Sequence, residues 1–256
     1  MKEKILDSLI GIERDKGVKV LYACESGSRA WGFSSSDSDY DVRFIYMHEP
    51  EHYISVFEDV RDVIEIPISG LLDVNGWDLK KALNLLYKNN FALFEWIFSP
   101  INYLNCDFQK SLQILVNKYF RSDRGHYHYY SMAIRFYNQH LYGNDSPNLK
   151  KLFYCLRATM ADLWINKFNS MPPVLFTDML IPEMVSDDVK EEIIHLTEVK
   201  KDLKEVDSSS HCKLSVAFIE KQLNVLSSWK PGKTSLPGDD VDIVFRDTLN
   251  KFKDQF

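Results

Sequence analysis

The sequence predicts an α+β protein, a small sheet domain followed by a helical domain. Two patterns carry that expectation. Apolar runs of strand length fall only in the first third of the chain, and beyond about Phe91 apolar residues recur at helical spacing alone. The composition agrees: 256 residues, 45% hydrophobic and 27% charged, suit an ordinary globular chain long enough to bury a core. The division expected is 1–100 for the sheet domain and 101–256 for the helical one, blurred between Tyr87 and Phe108.

The elements follow in order. MKEKILDSLIGIERDKG reads as an amphipathic helix with Ile5, Leu6, Leu9 and Ile10 on its apolar face and Gly17 as C-cap. Its interspersed charges argue against a signal peptide. VKVLYA is a strand, Gly27 to Gly32 a turn or short helix, SSSDS a loop and YDVRFIYM a second strand. DVIEIPI and GLLDVNGW read as neighbouring strands, after which Asp78 caps a helix over Leu79 to Lys88. FALFEWIF, FQKSLQILVNKYF, HYYSMAIRFYNQHLY and NLKKLFYCLRATMADLWINKF are helical, as are the acidic VSDDVKEEIIHLTEVKKDLKEV and KLSVAFIEKQLNVLSSW. SWKPGKTSLPGDD connects them to a short terminal helix.

Several function classes are disfavoured at this level. No apolar run approaches the roughly 18 residues of a membrane span. Cys24, Cys106, Cys155 and Cys212 are far apart, without a CxxC pair, which points to reduced thiols in the cytoplasm rather than to zinc or disulfides. A net charge of −6 leaves no global nucleic-acid footprint. Lys118 to Ala158 nevertheless carries Lys118, Arg121, Arg124, Arg135, Lys150, Lys151 and Arg157 against only Asp123 and Asp145. Such a patch attracts phosphates, although solvated helix faces give the same count.

The chemistry concentrates in GSRAWGFSSSDSDYDVRFIY. Asp39 and Asp41 repel each other, and strands disfavour Asp, so a bound divalent cation is the natural compensation. Strand alternation turns both to one face, roughly 7 Å apart, where they can converge on hard cations. Eleven residues before Asp39 stands Ser28, preceded by Gly27 at the end of a strand. A Gly-Ser turn offers backbone N–H groups and a hydroxyl to an anion, and Gly27 permits close approach. Strand, Gly-Ser turn, loop and Asp-x-Asp strand together describe a triphosphate and its metals side by side.

This GS-x10-D-x-D arrangement resembles the DNA polymerase beta nucleotidyltransferase superfamily. More closely, the chain resembles the YcgL-type predicted nucleotidyltransferases associated with RNA repair, through "ESGSRAWGFSSSDSDYDVRFIY", "LLDVNGWDLKKALNLLYKNN", "FEWIFSP" and "KKLFYCLRATMADLWI". These stretches span most of residues 20 to 165; the tail after Phe176 carries no assignable motif. The resemblance implies a small mixed sheet of the polymerase-beta type and two-metal transfer of an NMP from an NTP to an acceptor hydroxyl. Asp39 and Asp41 would hold two Mg2+ ions, for which Mn2+ would substitute, and Gly27, Ser28 and Arg29 would grip phosphates. Arg29 would serve equally as an ion-pair partner of Asp37.

The superfamily adds a third carboxylate from a later strand. Glu65, Asp73 and Asp78 are the candidates, and Asp73 best matches the context of an acid between apolar residues on a strand leading to a helix. Asp78 has a competing role as N-cap. In the later KKLFYCLRATMADLWI helix, Leu149, Leu152, Phe153, Leu156, Met160 and Leu163 make the apolar stripe. Lys151, Tyr154 and Arg157 fall on the opposite arc, as nucleotide contacts or as a solvated face. HYHYY, with histidines at i and i+2, reads as a polar-aromatic surface rather than a metal site. Trp31, Trp77, Trp96 and Trp164 read as core or interface residues.

The expected function is thus magnesium-dependent nucleotidyl transfer, with an RNA end as the acceptor that the family association favours. The alternatives are transfer to a small molecule or a protein side chain, and a non-catalytic nucleotide- or RNA-binding module. Intact Gly27, Ser28, Asp39 and Asp41 argue against the module.

Overall fold

A computed structural model describes residues 1–56, 61–104, 107–202, 211–226, 230–232 and 236–255. Cys106, the end of the acidic helical stretch beyond residue 202 and parts of the Pro/Gly-rich connector lie outside the described residues. The chain forms two compact units: Met1–Ala30 with Asp39–Tyr119 and Ser235–Phe256, and Trp31–Ser38 with Phe120–Thr234. The expected α+β architecture is the one adopted, a mixed sheet followed by a run of helices, except that the fifth strand falls at Asn102–Leu104, beyond the point where the sequence pattern predicts helices alone. No described helix is long and apolar enough to cross a membrane.

In the first unit the sheet order is β3-β4-β2-β1-β5, from β1 (Lys19–Ser26), β2 (Tyr40–Met47), β3 (Val63–Ser69), β4 (Leu72–Asp78) and β5 (Asn102–Leu104). β2 and β4 run parallel and every other pair antiparallel. Helix α1 (Lys2–Lys16) ends at Gly17, which takes φ +61° and donates to the Glu13 carbonyl, as its C-cap position predicts. Its buried face is Ile5, Leu9 and Ile12, whereas Ile10 is exposed and Leu6 only half-buried. The face is therefore rotated from the expected one. These residues pack with Val42, Phe44 and Tyr46 of β2 and Val74 of β4 on one side of the sheet. Gly76, registered opposite Phe44, is free of a Cβ that would collide with the Phe44 ring.

On the other side, Trp77 packs against Trp96 with ring centroids 3.9 Å apart and planes tilted by 33°. Tyr22 of β1 ties α5 (Phe91–Ile97) to the sheet by donating to the Trp96 carbonyl at 2.6 Å. Asp78 caps α4 (Leu79–Tyr87), accepting from the Lys80 amide at 2.8 Å. Its second oxygen accepts from the Tyr53 hydroxyl, at the end of the one-turn helix α3 (Pro50–Tyr53), at 2.7 Å. Helix α6 (Asp107–Tyr119) and the terminal helix α11 (Asp239–Phe252) complete the unit. Lys118 pairs with Asp240, and Tyr119 donates to the Pro237 carbonyl at 2.7 Å.

The second unit is built around α7 (Ser122–Phe136) and α8 (Leu149–Phe168), with α9 (Asp187–Asp202) and α10 (Lys213–Val225) behind them. The expected stripe of α8 is buried except for half-buried Leu163, but Cys155, Arg157, Ala158, Thr159, Ala161 and Asp162 are buried too. A helix enclosed on nearly all sides has no solvated arc, which corrects the amphipathic reading of α8. Gly32, at φ +85°, leaves the space that the Leu175 side chain fills, at 2.6 Å from a notional Cβ. Glu192 of α9 caps α10 by accepting from the Ser215 amide at 2.7 Å and the Leu214 amide at 3.1 Å.

Candidate functional site

The Gly-Ser turn and two of the candidate carboxylates meet at one end of the sheet. Antiparallel pairing sets Ser26 against Asp41, and the parallel β2–β4 pairing sets Asp41 against Asp73. Gly27 follows at φ +61°, opening a five-residue helix, α2 (Gly27–Trp31), in which Ser28 is buried. A side chain at Gly27 would collide with Oδ2 of Asp41. Glycine is needed here for its positive φ and because the Asp41 carboxylate occupies the space that a Cβ would take.

Arg43 belongs to the same face as Asp41, two residues along the strand. Its Nη2 donates to Oδ1 of Asp41 at 2.9 Å and to Oδ2 of Asp73 at 2.8 Å. Its Nη1 donates to the carbonyls of Val42 at 3.1 Å and Asp73 at 3.3 Å. All three side chains are half-buried, so these charge-assisted bonds are stronger than exposed pairs. Sequence reading missed Arg43 because it looked for carboxylates; the alternation that aligned Asp39 with Asp41 also reaches residue 43.

Behind Asp41 stands a second residue that sequence reading missed. Glu25 is 1% exposed, and its Oε1 accepts the Asp41 amide at 2.7 Å. Its Oε2 accepts the Tyr103 hydroxyl. Burial pushes the Glu25 carboxyl above the usual range, against the opposing pull of those two donors and of Arg29. Burial and Glu25 together push the Tyr103 phenol up. A carboxylate closing an otherwise apolar strand two residues before Gly27 was the available signal.

Asp39 stands one residue before β2 and is exposed. Its carbonyl accepts from Arg29 Nε at 3.0 Å, and the Arg29 guanidinium lies 3.8 Å over the Tyr40 ring. Among the described residues, no three His, Cys, Asp or Glu side chains form a metal-binding group. Glu65 is registered with Asn75 on the edge strand β3, and β4 separates it from β2. Asp78, buried and doubly hydrogen-bonded, serves α4. Of the three candidates for a later carboxylate, Asp73 alone lies beside Asp41.

Within the second unit, Lys151, Tyr154 and Arg157 are joined through aromatic rings. The Arg157 guanidinium is buried 4.3 Å over the Trp31 ring, and Tyr154 meets Trp31 edge-on at 5.1 Å. Tyr154 also lies 5.6 Å from Phe136, over which Lys151 Nζ stands at 6.0 Å. HYHYY is not a surface at its first position. His126 is buried, with Nδ1 2.5 Å from Oδ1 of Asp162, and Asn166 donates to the same oxygen at 3.0 Å. The basic segment is also partly consumed internally, since Lys118 pairs with Asp240 and Arg121 makes a two-bond pair with Asp123.

A solved nucleotidyltransferase-like protein from Exiguobacterium sibiricum 255-15 aligns over 86% of this chain and 74% of its own, with 11% identity and a TM-score of 0.35. The chain is 44% identical over 225 residues to "Uncharacterized protein YcgL" of Bacillus subtilis (strain 168), covering 87% of this chain and 85% of that one. The family model described as RNA repair pathway DNA polymerase beta family matches residues 1–247. The chain is therefore a nucleotidyltransferase-type enzyme and belongs to the RNA repair pathway DNA polymerase beta family.

Proposed function

We propose that the protein transfers an NMP from an NTP to the hydroxyl of an RNA end, with magnesium held by Asp39, Asp41 and Asp73. The observation that carries this reading is the register of Asp41 against Asp73 beside the Gly27-Ser28 turn. The donor set fits a hard cation: its atoms are carboxylate oxygens, and Asp41 and Asp73 already share a cationic guanidinium. Two carboxylates against one arginine leave net negative charge, to which exposed Asp39 adds.

When bound, a pair of Mg2+ ions, or Mn2+ in their place, supplies charge neutralisation at the phosphates and acidifies the acceptor hydroxyl. The chain's own groups position the reactants. Ser28 and the Gly27 backbone hold the terminal phosphates, with Arg29 adding positive charge. Glu25 fixes the Asp41 backbone, and Asp73 orients the acceptor. The RNA acceptor rests on the family's description. Buried Cys24, Cys155 and Cys212, none of them in a disulfide, suit a cytoplasmic setting.

The test is incubation of the pure protein with each labelled NTP, magnesium and a total-RNA pool. Labelled RNA is the expected product. Asp73→Asn should bind NTP nearly normally yet transfer roughly a thousandfold more slowly, about 4 kcal/mol of barrier. Wild-type transfer by Asp41→Asn or Asp73→Asn would remove the assignment.

A further inference from the structure

We infer that Arg43 is a resident cation of the carboxylate pair, which must release Asp41 before a divalent ion is held there, so that metal binding is coupled to nucleotide arrival. The inference rests on the proposed assignment of Asp41 and Asp73 as metal ligands. Its basis is the guanidinium placement. One nitrogen, Nη2, serves both carboxylates, at 2.9 Å for Asp41 and 2.8 Å for Asp73. Those two oxygens therefore face a single point, and a positive group already stands there.

The anchoring is unequal. Arg43 holds Asp73 twice, through Oδ2 at 2.8 Å and the backbone carbonyl at 3.3 Å, and it holds the Val42 carbonyl of its own strand at 3.1 Å. Arg43 holds Asp41 once, through Oδ1. The Asp41 contact can thus break while the guanidinium stays tethered to β4. The Asp41 backbone does not move with that change, because its amide is fixed on buried Glu25 at 2.7 Å. The switch is confined to one guanidinium contact.

The consequence is electrostatic. While Arg43 bridges the pair, a divalent ion faces both competition for Oδ1 of Asp41 and repulsion from the guanidinium. A triphosphate brings oxygens and negative charge of its own, which complete the coordination and tip the exchange. The site then resists idle metal loading yet keeps its carboxylates in register, since two bare carboxylates side by side would repel. Arg43 is a positioning residue on this account.

Mn2+ binding followed by electron paramagnetic resonance tests it, with and without α,β-methylene analogues of the four NTPs. Wild-type protein should bind free Mn2+ weakly and tightly only with an analogue. Arg43→Gln should raise nucleotide-free affinity by roughly tenfold or more, the scale of one lost charged hydrogen bond. Arg43→Lys keeps the charge but has no second nitrogen to take the Nη1 tethers to the Val42 and Asp73 carbonyls, and should raise it severalfold. Circular dichroism checks that each variant is folded. Unchanged or weaker nucleotide-free affinity in the folded variants, or in Arg43→Lys alone should Arg43→Gln not fold, overturns the inference. Asp41→Asn separates this from the underlying assignment. If it binds Mn2+ with an analogue as tightly as wild type, both fall; if it loses Mn2+ while the Arg43 variants gain none, only the role of Arg43 falls.

Discussion

At the scale of single residues, Gly27 is the position whose demands are most specific. It combines φ +61° with a Cβ direction that runs into the Asp41 carboxylate. Gly27→Ala therefore has two costs, backbone strain of about 1 kcal/mol and a displaced carboxylate. Transfer should fall by about two orders of magnitude, because a shift near 1 Å at a reacting site costs that much. The melting temperature should drop only a few degrees. Parallel calorimetry and transfer assays check this, and a variant as active as wild type would show that the Asp41 position is not critical. The sequence pointed to Gly27, Ser28, Asp41 and Asp73 because each has a residue type that its chemistry demands. Arg43 and Glu25 escaped because their roles depend on which strand lies beside which.

At the scale of elements, α7 and α8 show where periodicity misleads. Spacing alone placed Arg157 on an outer arc and His126 on a surface, yet both are buried. Aromatic cover from Trp31 and a carboxylate partner make burial tolerable for each. The buried Asp162 has a measurable consequence. Burial raises its carboxyl to about 6, outweighing the contacts with His126 and Asn166 that favour the charged form. A carboxyl raised above its unfolded value, about 3.9, binds its proton more tightly when folded. Its contribution to stability is therefore greatest below pH 4, is lost as pH rises to about 6 and is constant beyond. Asp162→Asn removes that titration. The melting temperature of the variant relative to wild type should rise between pH 4 and pH 6.5, and a difference that stays flat would refute the account.

At the scale of the whole molecule, the chain crosses repeatedly between its two units. It leaves the sheet unit after Ala30, returns at Asp39 and comes back once more for the last helix. The loop between the Gly-Ser turn and the Asp-x-Asp strand is thus part of the helical unit, where Phe33 packs on Phe153 and Phe176. Charge is redistributed in the same way. Lys118 and Arg121 are held by Asp240 and Asp123, whereas Arg124 and Arg135 of α7 are exposed, with exposed Tyr127 between them in sequence. An RNA track along the basic segment should therefore depend on Arg124 and Arg135. Reversing both to Glu should weaken RNA binding roughly tenfold or more and flatten its salt slope by about two. NTP binding should be unaffected. Salt-series binding assays read this, and unchanged affinity would favour a small-molecule or protein acceptor.

Local pattern was enough to determine the order of the first four strands and of the longer helices, the N-cap at Asp78, the C-cap at Gly17 and the Gly-Ser to Asp-x-Asp spacing, but not β5. Those features depend on neighbours within a few residues, which the chain itself records. Tertiary structure alone decided that Asp73 rather than Glu65 lies beside Asp41, since that depends on parallel pairing between strands separated by 24 residues of intervening chain, 48–71. It also decided that Arg43 bridges that pair, that Glu25 supports it and that the last helix rejoins the first unit. Contacts between distant segments are selected by burial and register in three dimensions, and a single sequence marks the residues that make them without naming their partners.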